Sequence, residues 1–168
     1  RESVELVYRE LVRLLLEPSP TSSSSLTLQS LRSDQGEEQE GVVSQKNLEK
    51  ARKVIESLQL AELDNFFREA CLKAKPEQID QVDPTAAVIY PIILPDRIAV
   101  ILSLPRQPLR YYPTKLPQSQ VESVLEQLLQ SINPTFSNKQ RLRLSQQVYD
   151  WLIRPAEVQL AESGVKTL

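Results

Sequence analysis

Cys71 is the one residue of this 168-residue chain that could act as a nucleophile through a thiolate, since the sequence has one cysteine and no histidine. An activated thiolate needs a neighbouring base or a cation that lowers its pKa. Lys73 and Lys75 are close in sequence, but so are Arg68 and Glu69. A cysteine near the end of an amphipathic helix is more often a small buried apolar group. We therefore interpret Cys71 as a structural residue.

Metal and cofactor chemistry finds little support in the sequence. One cysteine and no histidine leave only carboxylates as strong ligands, and the glutamates of residues 37–40 lack the spacing of a calcium loop. A phosphate-binding loop needs clustered glycines. The 3 glycines are instead scattered, at Gly36, Gly41 and Gly164. We expect no metal and no cofactor.

A carboxylate pair is the other chemistry that the residue types allow. Asp80, Asp83 and Asp96 could in principle supply a general acid and a general base. Asp83 precedes a proline and Asp96 follows one. Turn formation explains both positions more simply, so a carboxylate enzyme is our third hypothesis.

Arg110, Tyr111 and Tyr112 are the candidate partner-binding residues. Adjacent arginine and tyrosine side chains can stack on a base or on a peptide ring. Strand propensity alone would also place tyrosines there. For Trp151 and Tyr149, which have core-like spacing on a helix, we predict packing in the core.

Charge and hydropathy narrow the classes of partner. The 20 basic and 22 acidic residues give a net charge of −2, without the basic excess that phosphate-gripping proteins usually carry. No apolar run reaches the roughly 18 residues needed to cross a bilayer, and no signal peptide is evident. A single cysteine suggests a reducing compartment. We expect a cytoplasmic protein that binds neither nucleic acid nor membrane.

In the first half of the chain the sequence predicts mainly helices. Residues 1–17 form the leading helix, and residues 18–45 a flexible insert rich in serine and glutamate. Residues 46–74 are helical, with a bend predicted near Leu60 or Asp64. The apolar face of the leading helix is predicted to contain Val4, Val7, Tyr8, Leu11, Leu14 and Leu15. The solvated face of the next helix is predicted to contain Lys46, Glu49, Lys50, Arg52, Lys53 and Glu56.

In residues 85–113 the spacing of apolar residues changes from the helical period to the period of two that is typical of strands. Two β-branched runs separated by Pro95 and Asp96 predict a hairpin, and a third strand follows. Pro91 lies inside the first run, which predicts an edge strand or a bulge. Residues 118–163 return to helices, with Ser119 as a predicted N-cap and Gly164 as a C-cap. Pro155 fits either the first turn of a separate helix or a kink in a continuous one. Their buried faces are predicted to use Val121, Val124, Leu125, Leu128, Leu129 and Ile132, then Leu142, Leu144, Val148, Tyr149, Leu152 and Ile153.

These elements predict an α+β fold, in which amphipathic helices pack on a three-stranded antiparallel β-meander. The sequence contains no methionine, and Val165 to Leu168 resemble the first residues of a further strand. We therefore expect the chain to be part of a longer protein and to stop before a larger α/β sheet.

Three stretches carry a family resemblance: residues 51–72 (ARKVIESLQLAELDNFFREACL), 83–97 (DPTAAVIYPIILPDR) and 146–155 (QQVYDWLIRP). They resemble the N-terminal region of CHAT domains, which are caspase-like domains often found behind tetratricopeptide repeats, especially in cyanobacteria. The resemblance covers about residues 1–17 and 46–168, so that residues 18–45 form the N-terminal insert and residues 46–168 the N-terminal part of a CHAT-like domain. It implies a parent cysteine peptidase with a histidine–cysteine dyad, and no position here matches either residue.

The resemblance implies that this segment scaffolds or regulates a downstream peptidase core. Its implied partners are a protein or peptide substrate, bound through that core, and tetratricopeptide repeats or other regulatory domains of the same chain. The alternative is a non-enzymatic interaction module, a pseudo-peptidase adaptor that binds a partner by strand addition at the hairpin edge.

Overall fold

A three-stranded antiparallel sheet, with strand order β1-β2-β3, organises this chain. The computed structural model describes residues 2–18, 42–67, 79–133 and 137–168. The strands are β1 (Val88–Ile93), β2 (Arg97–Ser103) and β3 (Arg110–Lys115). The predicted α+β fold with a β-meander is confirmed, and β3 extends two residues beyond the predicted end of the meander.

Both hairpin connections are tight turns built on proline. Between β1 and β2 the amide of Leu94 donates to the carbonyl of Arg97 at 2.9 Å, which closes a two-residue turn over Pro95 and Asp96. Between β2 and β3 the amide of Gln107 donates to the carbonyl of Leu104 at 3.2 Å. The pairing is continuous from Val88↔Ser103 to Ile93↔Ile98, so β1 has no bulge at Pro91.

Each edge strand contains a proline at a position where the sheet needs no backbone N–H donor. In an antiparallel pair both backbone groups of one residue point to the same side, and the side alternates along the strand. The bond from Leu94 to Arg97 fixes this alternation, so odd-numbered residues of β1 face away from β2. The amide of Leu116 donates to the carbonyl of Asp96 at 3.2 Å, and in the same way odd-numbered residues of β3 face outward. Pro91 and Pro113 both occupy outward positions, and of the two alternatives predicted for Pro91 the structure shows the edge strand.

Two helices cover one face of the sheet, which we call the α1/α2 face. They are α1 (Glu2–Leu15) and α2 (Gln45–Phe67). Their buried side chains meet those that alternate along the strands on this side: Val12, Leu16, Leu48, Ala51, Ile55, Tyr90, Ile92, Ala99, Ile101 and Leu109. α2 runs without interruption through Leu60 and Asp64, where we predicted a bend. Residues 19–41 of the predicted insert, and residues 68–78 with Cys71, lie outside the described residues.

The inward face of α1 differs from the predicted one. Val12 and Leu16 are fully buried, whereas Val7 is 64% exposed and Leu11 and Leu14 are also exposed. The helix has apolar residues over a wide arc, so periodicity alone did not define which part of that arc meets the sheet. Contact with α2 and with Ile92 and Leu94 of the sheet selects Val12 and Leu16.

Helices on the other face follow the short helix α3 (Ile79–Val82) and the meander. They are α4 (Gln118–Ser131), α5 (Asn138–Leu152), a 3₁₀ turn (Arg154–Ala156) and α6 (Glu157–Ser163). This α4–α6 face packs on the even-numbered residues of β2 through Ile98, Val100, Leu102, Val121, Val124, Leu144, Trp151 and Ala156. Trp151 is buried in the core, as predicted.

Helix termini on this face are defined by local chemistry. Pro155 lies in the first turn of the 3₁₀ segment, and Gly164 ends α6 in the left-handed conformation with φ 68°. The C-cap at Gly164 was predicted, and Pro155 adopts the first of its two predicted positions. The predicted N-cap at Ser119 is wrong, because α4 begins at Gln118 after Pro117, which makes no side-chain cap bond. Proline supplies no amide and has a fixed φ, so it sets this start without a cap. Ser137 instead caps α5, accepting a hydrogen bond from the amide of Gln140.

Part of the predicted apolar surface of α4 and α5 faces outward. Leu129, Ile132 and Leu142 are exposed, Leu142 by 70%, and Leu125 is at the border of exposure. These residues were predicted to be buried, and the sheet is too narrow to cover them. None of the helices in the described residues is both long and apolar enough to cross a membrane.

Candidate functional site

The described residues do not gather a metal-ligating cluster: they hold no group of three or more histidine, cysteine, aspartate or glutamate side chains that could bind an ion. The candidate nucleophile Cys71 and the side chain of Asp80 lie outside what the structure describes. Among the described residues, the polar groups that can bind a ligand are arginine, lysine, carboxylate, tyrosine and hydroxyl side chains.

Asp83 and Asp96 cannot act as a catalytic pair because they flank opposite ends of β1. Six residues of strand separate their turns, a distance of about 20 Å at the usual rise per residue. Asp83 closes a turn through Oδ1, which accepts hydrogen bonds from the amide of Thr85 at 2.7 Å and from its hydroxyl at 2.8 Å. These bonds hold the pKa of Asp83 below its usual value. The turn roles that the sequence predicted are confirmed.

The three candidate binding residues do not share one surface. Successive strand residues point to opposite faces, so Tyr111 packs against the α1/α2 cluster and Tyr112 against the α4–α6 clusters. Burial raises the pKa of Tyr112, and the charge of Arg110 partly opposes this shift. Arg110 is exposed at the start of β3. By the same alternation Arg110 starts β3 on the side of Tyr112, so Tyr111 alone of the three faces the α1/α2 side.

Among the described residues, a groove of about 650 Å³ lies beside β3 on the α1/α2 side; we call it the β3 groove. Its apolar lining includes Leu16, Val43, Leu48, Leu109 and Tyr111. Three basic residues, Arg97, Arg110 and Lys115, and one acid, Asp96, complete the charged part of the lining. Two of the three residues predicted from the sequence therefore lie in one concave surface.

Arg97 differs from the other charged residues of this groove because part of its guanidinium group is buried without a hydrogen-bond partner. Its side chain is only 14% exposed and its Nη1 donates to Oδ2 of Asp96 at 2.8 Å. Its Nε and Nη2 atoms are buried and have no hydrogen-bond partner in the structure. These two nitrogens lie on one edge of the guanidinium plane and together form a fork for a carboxylate.

A second, more polar cavity of about 560 Å³ lies beside the β2–β3 turn; we call it the turn cavity. Arg52 lines it and is only 7% exposed, with Nη1 donating to the hydroxyl of Ser103 at 3.1 Å. The Nε atom of Arg52 lies 3.9 Å from a carboxylate oxygen of Glu56, and that same oxygen accepts a hydrogen bond from the hydroxyl of Tyr90 at 2.8 Å. A polar network therefore runs under the α1/α2 face.

Arg106 in the β2–β3 turn has a backbone conformation that side chains rarely adopt. Its φ is +58°, and it follows Pro105 at the turn position where glycine or asparagine usually supplies a positive φ. A non-glycine residue held there costs free energy. Since Arg106 also lines the turn cavity, the chain keeps a long cation beside Arg52 at a position that favours glycine.

Sequence reasoning misplaced Arg52 and missed the part played by Arg97. Arg52 was predicted on the solvated face of α2, and the structure buries it because Ser103, 51 residues away, supplies its partner. The sequence analysis assigned no role to Arg97. One signal was available: in β2 the polar residues Arg97 and Ser103 both have odd numbers, which places them on the same face.

Comparisons of the chain with protein-family models, with curated proteins and with solved structures gave no match.

Proposed function

We propose that this chain is the N-terminal, non-catalytic segment of a CHAT-type caspase-like cysteine peptidase. In this role the layered unit forms the base on which the downstream peptidase sheet assembles. The resemblance of residues 51–72, 83–97 and 146–155 to CHAT domains supports the proposal. The observation that carries it is a parallel pairing at the outer edge of β1.

The pairing joins the residues after α6 to those before β1. Thr167 bridges Ala86 in parallel, with the amide of Ala87 donating to the carbonyl of Thr167 at 2.9 Å. The amide of Lys166 donates to the carbonyl of Thr85 at 2.8 Å. Thr85 and Ala87 are odd-numbered, so their groups point away from β2 and the new pairing lies outside the meander.

A parallel strand beside β1 agrees with an α/β sheet in the connection that it needs and in the free edge that β1 offers. Parallel neighbours need a long crossover, usually helical, and α4 to α6 lie between β1 and Thr167. The next outward-facing residue of β1 is Ile89, and Pro91 then offers no N–H. A strand added in this register can pair as far as Ile89 before proline interrupts the edge.

The proposal assigns catalysis to residues outside this chain. A histidine and a cysteine at the ends of two later strands would form the dyad, and the peptide substrate would bind there. Tetratricopeptide repeats or other regulatory domains of the same protein would be the remaining partners, in a cytoplasmic setting. The exposed apolar residues of α1, α4 and α5 are available for such packing.

Amide hydrogen exchange at Ile89 tests this assembly. We expect the Ile89 amide to exchange rapidly in residues 1–168 alone and to be protected in a protein that also contains about the next 150 residues, a typical domain length. The amide of Ala87, already bonded to Thr167, is the internal control. Equal exchange of Ile89 in both proteins would contradict the proposal.

The alternative function, a non-enzymatic interaction module, is favoured by the β3 groove. Strand addition at β3 is the less favourable form of it, because Pro113 removes the central outward amide of that edge. The residues that follow position 168 discriminate between the two functions. A histidine and a cysteine at the ends of successive strands support the peptidase, and the lack of both supports the module.

A further inference from the structure

The segment after α6 is held in place mainly by backbone hydrogen bonds to two residues. Val165 packs beside Ala87 in the α4–α6 core, whereas Lys166 and Thr167 are exposed. The carbonyl of Thr85 accepts the amide of Lys166 at 2.8 Å and that of Thr167 at 3.3 Å. The amide of Ala87 donates to the carbonyl of Thr167 at 2.9 Å. Because only one of these three side chains packs in the core, packing alone specifies the register of the segment weakly.

The Thr85 carbonyl is oriented by the turn that precedes it. Oδ1 of Asp83 accepts the amide of Thr85 at 2.7 Å and its hydroxyl at 2.8 Å. The amide of Asp83 donates to the carbonyl of Ile79 in α3 at 2.8 Å, and its carbonyl accepts the amide of Ala86 at 3.2 Å. Pro84 has a fixed φ between them. Both backbone groups of Thr85 and its hydroxyl are therefore engaged, which restricts how this residue can be oriented.

A slip of one residue would disrupt this arrangement. Backbone groups alternate in direction along a strand, so Thr85 and Ala87 face the segment but Ala86 does not. Moving the segment by one residue would place Lys166 where Val165 now contacts the core. The carbonyl of Thr85 opposes such a slip because it bonds the first amides of the segment.

Further along, the outer edge of β1 is closed. Pro91 has no N–H, and the carbonyl of Ile93 accepts a hydrogen bond from Nη1 of Arg9 at 3.0 Å. Nε of Arg9 donates to Glu5 at 2.9 Å, which holds the guanidinium in place. Among the described residues, the part of this edge that a longer strand can still pair with is therefore short and includes Ile89.

We infer that the Asp83–Thr85 turn is a clasp that sets the register of the strand beginning at Val165. Asp83 is the positioning residue, and the Thr85 carbonyl is the acceptor that meets the strand. The clasp lies wholly within residues 83–167 and does not depend on the proposed function. Its further consequence, the alignment of a longer strand with Ile89, rests on that function.

Amide hydrogen exchange in residues 1–168, followed by NMR, tests the clasp. In Asp83→Ala we expect the amides of Lys166 and Ala87 to exchange about tenfold faster, as for loss of roughly one charge-assisted hydrogen bond. The amide of Leu94, which is bonded within the β1–β2 turn, is the internal reference and should keep its rate.

Relaxation of ¹⁵N nuclei separates loss of the clasp from loss of overall stability. We expect the backbone order parameter of Thr167 to fall from about 0.85 to below about 0.6 in Asp83→Ala, the difference between rigid and flexible backbone. Ile101 in the central strand should stay at about 0.85, because lower overall stability does not add fast motion to the folded state.

Three further variants locate the effect. Asp83→Asn keeps an acceptor oxygen but not the charge, so it should have a smaller effect than Asp83→Ala. Thr85→Val removes only the hydroxyl bond and should speed the exchange of Lys166 about threefold, and it serves as the test if Asp83→Ala does not fold. Asp96→Ala is the matched control, since Asp96 bonds the side chain of Arg97 at the other end of β1 and Lys166 should not respond.

Two outcomes would overturn the clasp. One is unchanged exchange of Lys166 in both Asp83→Ala and Thr85→Val, and the other is an order parameter of Thr167 that does not fall in Asp83→Ala. The proposed function fails separately, through the Ile89 amide of the longer protein. An unprotected Ile89 with a responsive Lys166 supports the clasp and rejects the proposed function, and the reverse result rejects the clasp alone.

Discussion

The two faces of the sheet both pack an apolar core on the same strands, but they differ in the polar groups that lie beside it. On the α4–α6 face, β2 presents Ile98, Val100 and Leu102 to an apolar core. On the α1/α2 face, the same strand begins with Arg97 and ends with Ser103, and both the turn cavity and the β3 groove open there. Both faces have an apolar core, and the α1/α2 face also carries polar groups that can bind. The period of two along a strand makes this division possible.

Trp151→Ala gives the largest expected effect and tests the cohesive role of the α4–α6 face. Trp151 is 9% exposed and packs with Val121, Val124 and Leu144 around β2. Its truncation should lower the free energy of unfolding by about 3–5 kcal/mol, as for other large-to-small core changes. Urea denaturation measures the loss.

Leu142→Ala is the matched control on the same helix. Leu142 is 70% exposed, and we expect a change within about 0.5 kcal/mol. A loss of several kcal/mol for Leu142→Ala would mean that another element covers α5, and the comparison of the faces would need revision.

Arg52→Leu tests the polar network of the α1/α2 face. The change leaves the hydroxyl of Ser103 without its arginine donor and brings Glu56 beside an apolar group, so we expect a loss of about 1–3 kcal/mol. In the double variant with Ser103→Ala both ends of the bond are removed. Its cost should be smaller than the sum of the two single changes, and a double-mutant cycle from chemical denaturation measures the difference. Additive costs would show that the network does not couple.

Arg106→Gly and Gly164→Ala compare the two left-handed residues, one beside each face. Gly164 has φ 68° and nothing within 4 Å of an added Cβ. Gly164→Ala should therefore cost about 1 kcal/mol from backbone conformation alone. Arg106→Gly should stabilise the fold by up to about 1 kcal/mol, because glycine tolerates φ +58°. Thermal unfolding of both variants provides the test, and destabilisation by Arg106→Gly would mean that the arginine side chain contributes to the fold.

Lowering the pH should have the smallest effect on the stability of the fold. The effect acts through Asp83, which lies beside the parallel pairing. The pKa of Asp83 is lowered in the folded state by the hydrogen bonds from Thr85. A lowered folded pKa contributes stability above the unfolded value of about 3.9, and the contribution is lost as the pH falls through the folded pKa. Asp83→Asn should flatten the acid limb of the pH–stability profile. An unchanged profile would show that the turn contributes no linked stability.

Much of the fold could be predicted from the sequence because its signals are local. The change of period at residues 85–113, the turn prolines and Gly164 define strands, turns and a helix end through backbone chemistry within a few residues. The candidate site was predicted only in part, since Tyr111 and Tyr112 are adjacent in sequence but belong to different faces.

The sequence by itself determined the order of elements, the proline turns and the polar residues at odd positions of β2. Only the tertiary structure decided which side of α1 is buried, that Arg52 lies inside, and that Arg97 has two donors without an acceptor. The physical reason is the separation in sequence over which each kind of interaction acts. Backbone preferences act between near neighbours, whereas burial and hydrogen bonding depend on partners such as Ser103 that approach only when the sheet and helices pack together.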